Sequence, residues 1–151
     1  MEGGAALGFF KRIFGICDTK PPRDAGCWTR QPDHAAIDLK RAPELGEPGG
    51  AVRLEGHGLP HRILVIRGDD GNLHAFINKC THAGRRIDPR PGTSTVRCCS
   101  VGKSTFNYRG EALSGWAKKP LTRLKAREEP GKLVISFVPE TQDTGKKLDT
   151  K

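Results

Sequence analysis

Residues 71–84 read GNLHAFINKCTHAG and residues 95–108 read TVRCCSVGKSTFNY. Each stretch opens on a run of β-branched or aromatic residues and passes into a loop that carries cysteine, so each is read as a strand followed by a working loop. Cys80 and His82 stand two apart on the first loop, where a soft thiolate and an imidazole can both turn toward a metal. Fifteen residues separate His82 from Cys98, a spacing that lets the second loop, with Cys98 and Cys99, close on the first. A lone Cys-x-His tripeptide is common by chance. Its place after a strand, with a second cysteine-bearing loop at this distance, is what gives it weight.

The same texture extends outward. Further β-rich runs lie at 36–39, 51–54, 62–66, 121–125 and 133–138, beside those at 73–77, 95–98 and 105–108. Asp69-Asp70-Gly71-Asn72 and Glu128-Glu129-Pro130-Gly131 supply hairpin turn signals. Short strands with turns at this frequency predict an all-β domain, an antiparallel sandwich or small barrel, over 34–140. Residues 18–33 hold three prolines among charges and read as a linker, and 141–151 read as a polar tail. Residues 1–17 place Phe9, Phe10, Ile13, Phe14 and Ile16 on one face of a short amphipathic segment, with Lys11 and Arg12 toward the other. Such a segment needs a surface to lie on, either its own domain, a partner subunit or a membrane.

The chain has 151 residues, with 26 Lys and Arg against 17 Asp and Glu, a net charge of +9. No run approaches the roughly 18 apolar residues of a membrane span. Residues 1–17 lack the order of a secretory signal, which sets the expectation of a cytoplasmic protein. Five cysteines, at 17, 27, 80, 98 and 99, are an odd number. In a reducing compartment they are expected as ligands, reactive thiols or small core residues before disulfides. No Ser/His/Asp set, phosphate-cradling glycine loop or paired-carboxylate site is legible, which favours a carrier or subunit over a stand-alone catalyst.

Around these loops the sequence resembles the Rieske-type iron–sulfur domains, over roughly residues 36–138. The resemblance rests on GNLHAFINKCTHAG, on CSVGKSTFNYRGEALSG, on KKPL and on GKLVISF. It implies the Rieske-like antiparallel β-sandwich with two cluster-binding loops, a [2Fe–2S] cluster and single-electron transfer. Aligning Ser104-Thr105-Phe106-Asn107 with the family's Ser-x-Phe-Asp/Asn makes Cys99 the second-loop cysteine. Ser104 then matches a serine that hydrogen-bonds cluster sulfur, and Pro120 matches the proline turn that covers the cluster. Phe106 stands near where high-potential members carry a Tyr, and Arg85 where respiratory subunits carry an extra loop cysteine. Both differences point to the ferredoxin-like branch.

The chain departs from the family at one ligand. The second histidine should follow the loop-two cysteine by three residues; that position is Gly102 counted from Cys99 and Val101 counted from Cys98. The inventory is Cys80, His82, Cys98 and Cys99. Three readings stand: a [2Fe–2S] cluster with Cys98 or Cys99 completing the set, a single Zn or Fe in a Cys₃His site, or a cluster-free module that docks onto a larger redox complex. Exchanging an imidazole for a thiolate adds negative charge and lowers the potential. His74 reads as a packed strand residue, His57 and His61 as parts of a solvated hairpin, and His34 carries no information.

Residues 80–132 hold twelve of the Lys and Arg but only four acids, nearly the whole surplus of charge. Aromatic residues are 6% of the chain and do not interleave with these cations as stacking platforms, which argues against nucleic acid. The span reads as a basic collar that steers an acidic redox protein onto the two loops.

Overall fold

The computed structural model describes residues 17–81, 84–100 and 103–140. Of the amphipathic segment read over 1–17, residues 1–16 lie outside those residues, as do the tail at 141–151, His82, Val101 and Gly102. No helix among the described residues is long and apolar enough to cross a membrane.

Among the described residues, eleven strands form two antiparallel sheets. The first runs in the order β1 (Trp28–Arg30), β2 (His34–Asp38), β11 (Lys132–Pro139), β10 (Arg123–Glu129), β5 (Leu73–Ile77), β4 (Ile63–Arg67) and β3 (Ala51–Leu54). The second runs β6 (Ile87–Arg90), β7 (Thr95–Cys98), β8 (Thr105–Asn107) and β9 (Ala112–Ser114). This is the all-β architecture expected from the sequence. The runs at 51–54, 73–77 and 95–98 are strands with those bounds. Gly71, at φ +81°, supplies the left-handed residue of the turn between β4 and β5, and Gly131, at φ +75°, that between β10 and β11.

Residues 18–33, read as a linker, are built into the domain. Trp28, Thr29 and Arg30 pair with Ile37, Ala36 and Ala35, and Cys27 is buried in the core. Two edge strands also escaped the reading. β6 contains Pro89, which an edge position tolerates because its missing N–H leaves no ladder bond open. β9 is only three residues long.

Strand β4 is buried along Ile63, Leu64, Val65 and Ile66. Ile63 and Val65 join Ile37, Val52, Leu54, Ala75, Leu133 and Ile135 in one apolar core. Leu64 and Ile66 face the second sheet, where Phe76, Ile87, Val96, Phe106 and Leu121 form the other. Cys80 and Cys98 belong to this second core, and their position at its edge is what the two loops are built upon.

Candidate metal centre

Loop one begins where β5 ends. Asn78 is buried, and its side-chain oxygen accepts the Ile87 N–H at 2.7 Å, which ties the loop to the start of β6. The Cys80 N–H donates to Arg85 O at 2.7 Å, and Gly84 N–H donates back to Cys80 O at 2.8 Å. Gly84 sits at φ +69°, a conformation that favours glycine at this closure. Just before β4, the Arg62 guanidinium donates to Gly84 O at 2.8 Å. The loop is thereby held at its base from both sides.

Loop two rises from β7. The Cys98 N–H donates to Ser104 O at 2.7 Å, closing the loop at its neck, and Lys103 N–H donates to Ser100 O at 3.2 Å. The Ser104 side chain is buried, and its hydroxyl oxygen accepts the Ala117 N–H at 2.9 Å. That bond joins loop two to the segment 115–120. The same segment is joined to loop one, because Thr81 Oγ1 donates to Lys119 O at 2.7 Å. Pro120 itself is exposed at the end of this segment.

The structure brings Cys80 and Cys98 together. They are 1% and 2% exposed, they come from different loops, and their thiols are hydrogen-bonded to each other. The Cys98 sulfur also lies 3.1 Å from Ser100 Oγ. The bond to Cys80, and after it burial, push the Cys98 thiol far above the ordinary thiol range. Two buried thiols in contact cannot both ionise unless a cation compensates them, and a metal that binds two thiolates is such a cation.

Cys99 is placed elsewhere. Its N–H donates to Arg86 O at 3.0 Å, and its sulfur is joined in a disulfide to Cys17, across a sequence separation of 82 and a Cα–Cα distance of 5.4 Å. This corrects the expectation that the cysteines serve as ligands, thiols or core residues and not in disulfides. Alternating strand geometry is the physical reason the neighbours part: successive side chains leave β7 on opposite faces. Cys98 goes inward to Cys80, and Cys99 goes to the face where Cys17 and Asp88 lie.

The chemistry of the donors present matches half of a [2Fe–2S] ligand set. Cys80 and Cys98 could hold one iron between them, and His82 follows Cys80 by two in the sequence. Neither Val101 nor Gly102 offers a donor atom for the fourth position. Sequence reading did not single out Asn78, Arg62 or the Glu55–Arg86 pair. Arg86 Nε donates to Glu55 Oε1 at 2.5 Å and Nη2 to Oε2 at 3.1 Å, bracing the carbonyl that receives Cys99. Partners 22 and 31 residues apart leave no local pattern to find.

Of the twelve cations in 80–132, several are spent on the first sheet or its neighbour: Arg86 on Glu55, Arg123 on Glu140, and Arg127 and Lys132 on Glu129. Arg85, Lys103, Lys118 and Lys119 are exposed beside the two loops and the 115–120 segment, and none of them forms an ion pair among the described residues. Trp116 stands 61% exposed in the same segment.

Known proteins share this fold. Residues 38–125, more than half the chain, match the family model described as Rieske [2Fe-2S] domain. The carotenoid phi-ring synthase of Chlorobaculum tepidum is 34% identical over 93 residues, which is 61% of this chain and 14% of that protein. The chain thus spans a small part of that relative. Among solved structures, the ferredoxin of carbazole 1,9a-dioxygenase from Nocardioides aromaticivorans has a TM-score of 0.51 at 17% identity, covering 60% of this chain and 86% of the other. A complex of reduced oxygenase and oxidized ferredoxin in carbazole 1,9a-dioxygenase contributes a chain with a TM-score of 0.53 at 17% identity, over 63% of this chain and 87% of that one. A quaternary ammonium Rieske monooxygenase with L-carnitine has a TM-score of 0.53 at 20% identity, over 89% of this chain and 36% of the other. With two antiparallel sheets, two loops meeting at a buried thiol pair and a family match across both, the chain belongs to the Rieske [2Fe-2S] domain family.

Proposed function

We propose that this protein is an electron carrier of the Rieske ferredoxin kind with an incomplete ligand set. Cys80 and Cys98 would hold one iron and His82 the other, with no family-position donor from residue 101 or 102. The observation that carries the reading is the buried, mutually hydrogen-bonded pair of Cys80 and Cys98, delivered by two loops that are each braced at the neck. When bound, a [2Fe–2S] cluster takes up and gives back one electron. The protein's own part is to hold two thiolates in an apolar setting, to anchor the loops through Arg62, Asn78 and Ser104, and to present cations around the opening. Arg85, Lys103, Lys118 and Lys119 suit an acidic face on a redox protein partner.

Anaerobic purification and reconstitution with iron and sulfide test this. The expected product is coloured, with about two irons and two acid-labile sulfides per chain, and loses both on Cys80→Ser or Cys98→Ser. Colourless, iron-free protein after reconstitution would instead establish the second reading, a cluster-free Rieske-fold subunit. That reading has its own support in the missing donor at positions 101 and 102.

A further inference from the structure

Cys17 and Cys99 take no part in the thiol pair at the loops, yet they are not scattered surface cysteines. The chain around Cys17 is docked onto β6 by one side chain. The Asp88 carboxylate accepts the Asp18 N–H at 2.6 Å and the Thr19 N–H at 3.0 Å, and Lys20 O accepts the Arg53 N–H at 3.0 Å. These bonds do not depend on sulfur chemistry. They hold Cys17 where Cys99 emerges from β7, so that the Cys17 and Cys99 sulfurs and an Asp88 oxygen all lie within 4.8 Å of one another. A thiol pair kept together this way has a high effective concentration, so when one of them forms a mixed disulfide with an oxidised low-molecular-weight thiol the other displaces that thiol and the bond closes again.

Accessibility singles out Cys17, while its partner Cys99 is itself 6% exposed. Cys27, Cys80 and Cys98 are each 2% exposed or less. Cys17 is half-buried, and a cleft of about 330 Å³ lined by Asp18, Gly49, Asp88 and Pro91 opens beside it.

We propose that Cys17 and Cys99 form a reversible dithiol–disulfide site, operated by exchange with a low-molecular-weight thiol of the glutathione class. Its closure fastens the chain preceding β1 to the strand end that carries the second loop. In the opening direction a glutathione thiolate attacks Cys17, the more accessible sulfur. The Cys17–Cys99 bond breaks, and Cys99 leaves as a thiolate that takes a proton from water. A second glutathione thiolate attacks the glutathione sulfur of the mixed disulfide, releasing Cys17, which is protonated in turn, and forming glutathione disulfide. The protein gains two electrons and two protons, and the two thiols lose them. The site stands apart from the cluster reading, since none of its three groups is Cys80, His82 or Cys98.

The test uses the full chain, equilibrated anaerobically in buffers of reduced and oxidised glutathione, quenched in acid, alkylated and mapped by mass spectrometry. The expected result is one two-electron transition that links Cys17 to Cys99 alone. The linked fraction moves from above nine-tenths to below one-tenth as [GSH]²/[GSSG] rises about a hundredfold. In Cys99→Ser the expected product is glutathione trapped on Cys17. Alkylation of both cysteines at every ratio would overturn the proposal, as would a bond from either to Cys80 or Cys98. A separate readout covers the docking: in Cys17→Ser the Asp18 and Thr19 amides should still exchange slowly, and exchange at the rate of an unstructured chain would refute the role of Asp88.

Discussion

Replacing Ser104 by alanine isolates the bond that joins loop two to the 115–120 segment. The Ser104 oxygen accepts the Ala117 N–H at 2.9 Å, and the two residues are 1% and 5% exposed. Water therefore has little room to replace the hydroxyl, and the Ala117 N–H is left buried without an acceptor. An orphaned buried donor costs about 1–3 kcal/mol. The volume lost is a single oxygen, so the cavity contribution is small beside this. Roughly 2 kcal/mol in a chain of this size corresponds to a fall in Tm of roughly 4–8 °C. Ser114→Ala, on an exposed edge strand, is the matched control and should stay within about 0.5 kcal/mol of the parent. Urea titration followed by tryptophan fluorescence gives both values, and Ala117 amide exchange shows whether the loss is local. A Ser104→Ala midpoint indistinguishable from the Ser114→Ala midpoint would refute the argument that this hydroxyl holds the segment down.

Three further outcomes follow from other parts of the molecule. Breaking the Cys17–Cys99 bond, by Cys17→Ser or by reductant, frees a loop closed across a separation of 82; the chain-entropy model gives about 4.5 kcal/mol, and a change in denaturation midpoint worth under about 1 kcal/mol would contradict that model here. Glu55 is held below its ordinary value of 4.5 by its hydrogen bonds to Arg86; the stability it contributes is complete above that value and is lost as pH falls through the lower folded value, so Glu55→Gln should flatten the acid limb of a stability–pH curve and leave the neutral limb parallel. If Cys98 is the second-loop ligand, a histidine three residues on belongs at position 101, so Val101→His should raise iron loading in anaerobic reconstitution and Gly102→His should not; the opposite order would return the ligand role to Cys99.

Most of the fold was legible because it is written locally. Strands β3, β5 and β7 are β-rich runs bounded by turn chemistry, and the Asp-Gly and Pro-Gly turns name their own hairpins. What was not legible is decided by tertiary partners. Trp28–Arg30 is a strand only because Ala35–Ile37 stands beside it, and Ile87–Arg90 reads as a breaker until the edge position makes Pro89 harmless. At the site, residue type and spacing single out Cys80, His82, Cys98 and Cys99, and Ser104 comes from the family resemblance. The division of labour between Cys98 and Cys99 was not legible there, because a family alignment counts residues and a strand alternates faces. Choosing Cys99 from the Ser-x-Phe spacing placed the count one residue away from the cysteine that faces Cys80. Asp88 and Arg62 do their work on backbone groups 69 and 22 residues away, respectively.

Strand β4 gives Ile63 and Val65 to one core and Leu64 and Ile66 to the other. A wall shared in this way leaves no plane along which the molecule could come apart in stages. Loosening the core that contains Ile37 and Leu133, far from the loops, withdraws support from the one that contains Cys80 and Cys98. The thiol pair is therefore coupled to both cores, and its amides should be among the slower ones to exchange.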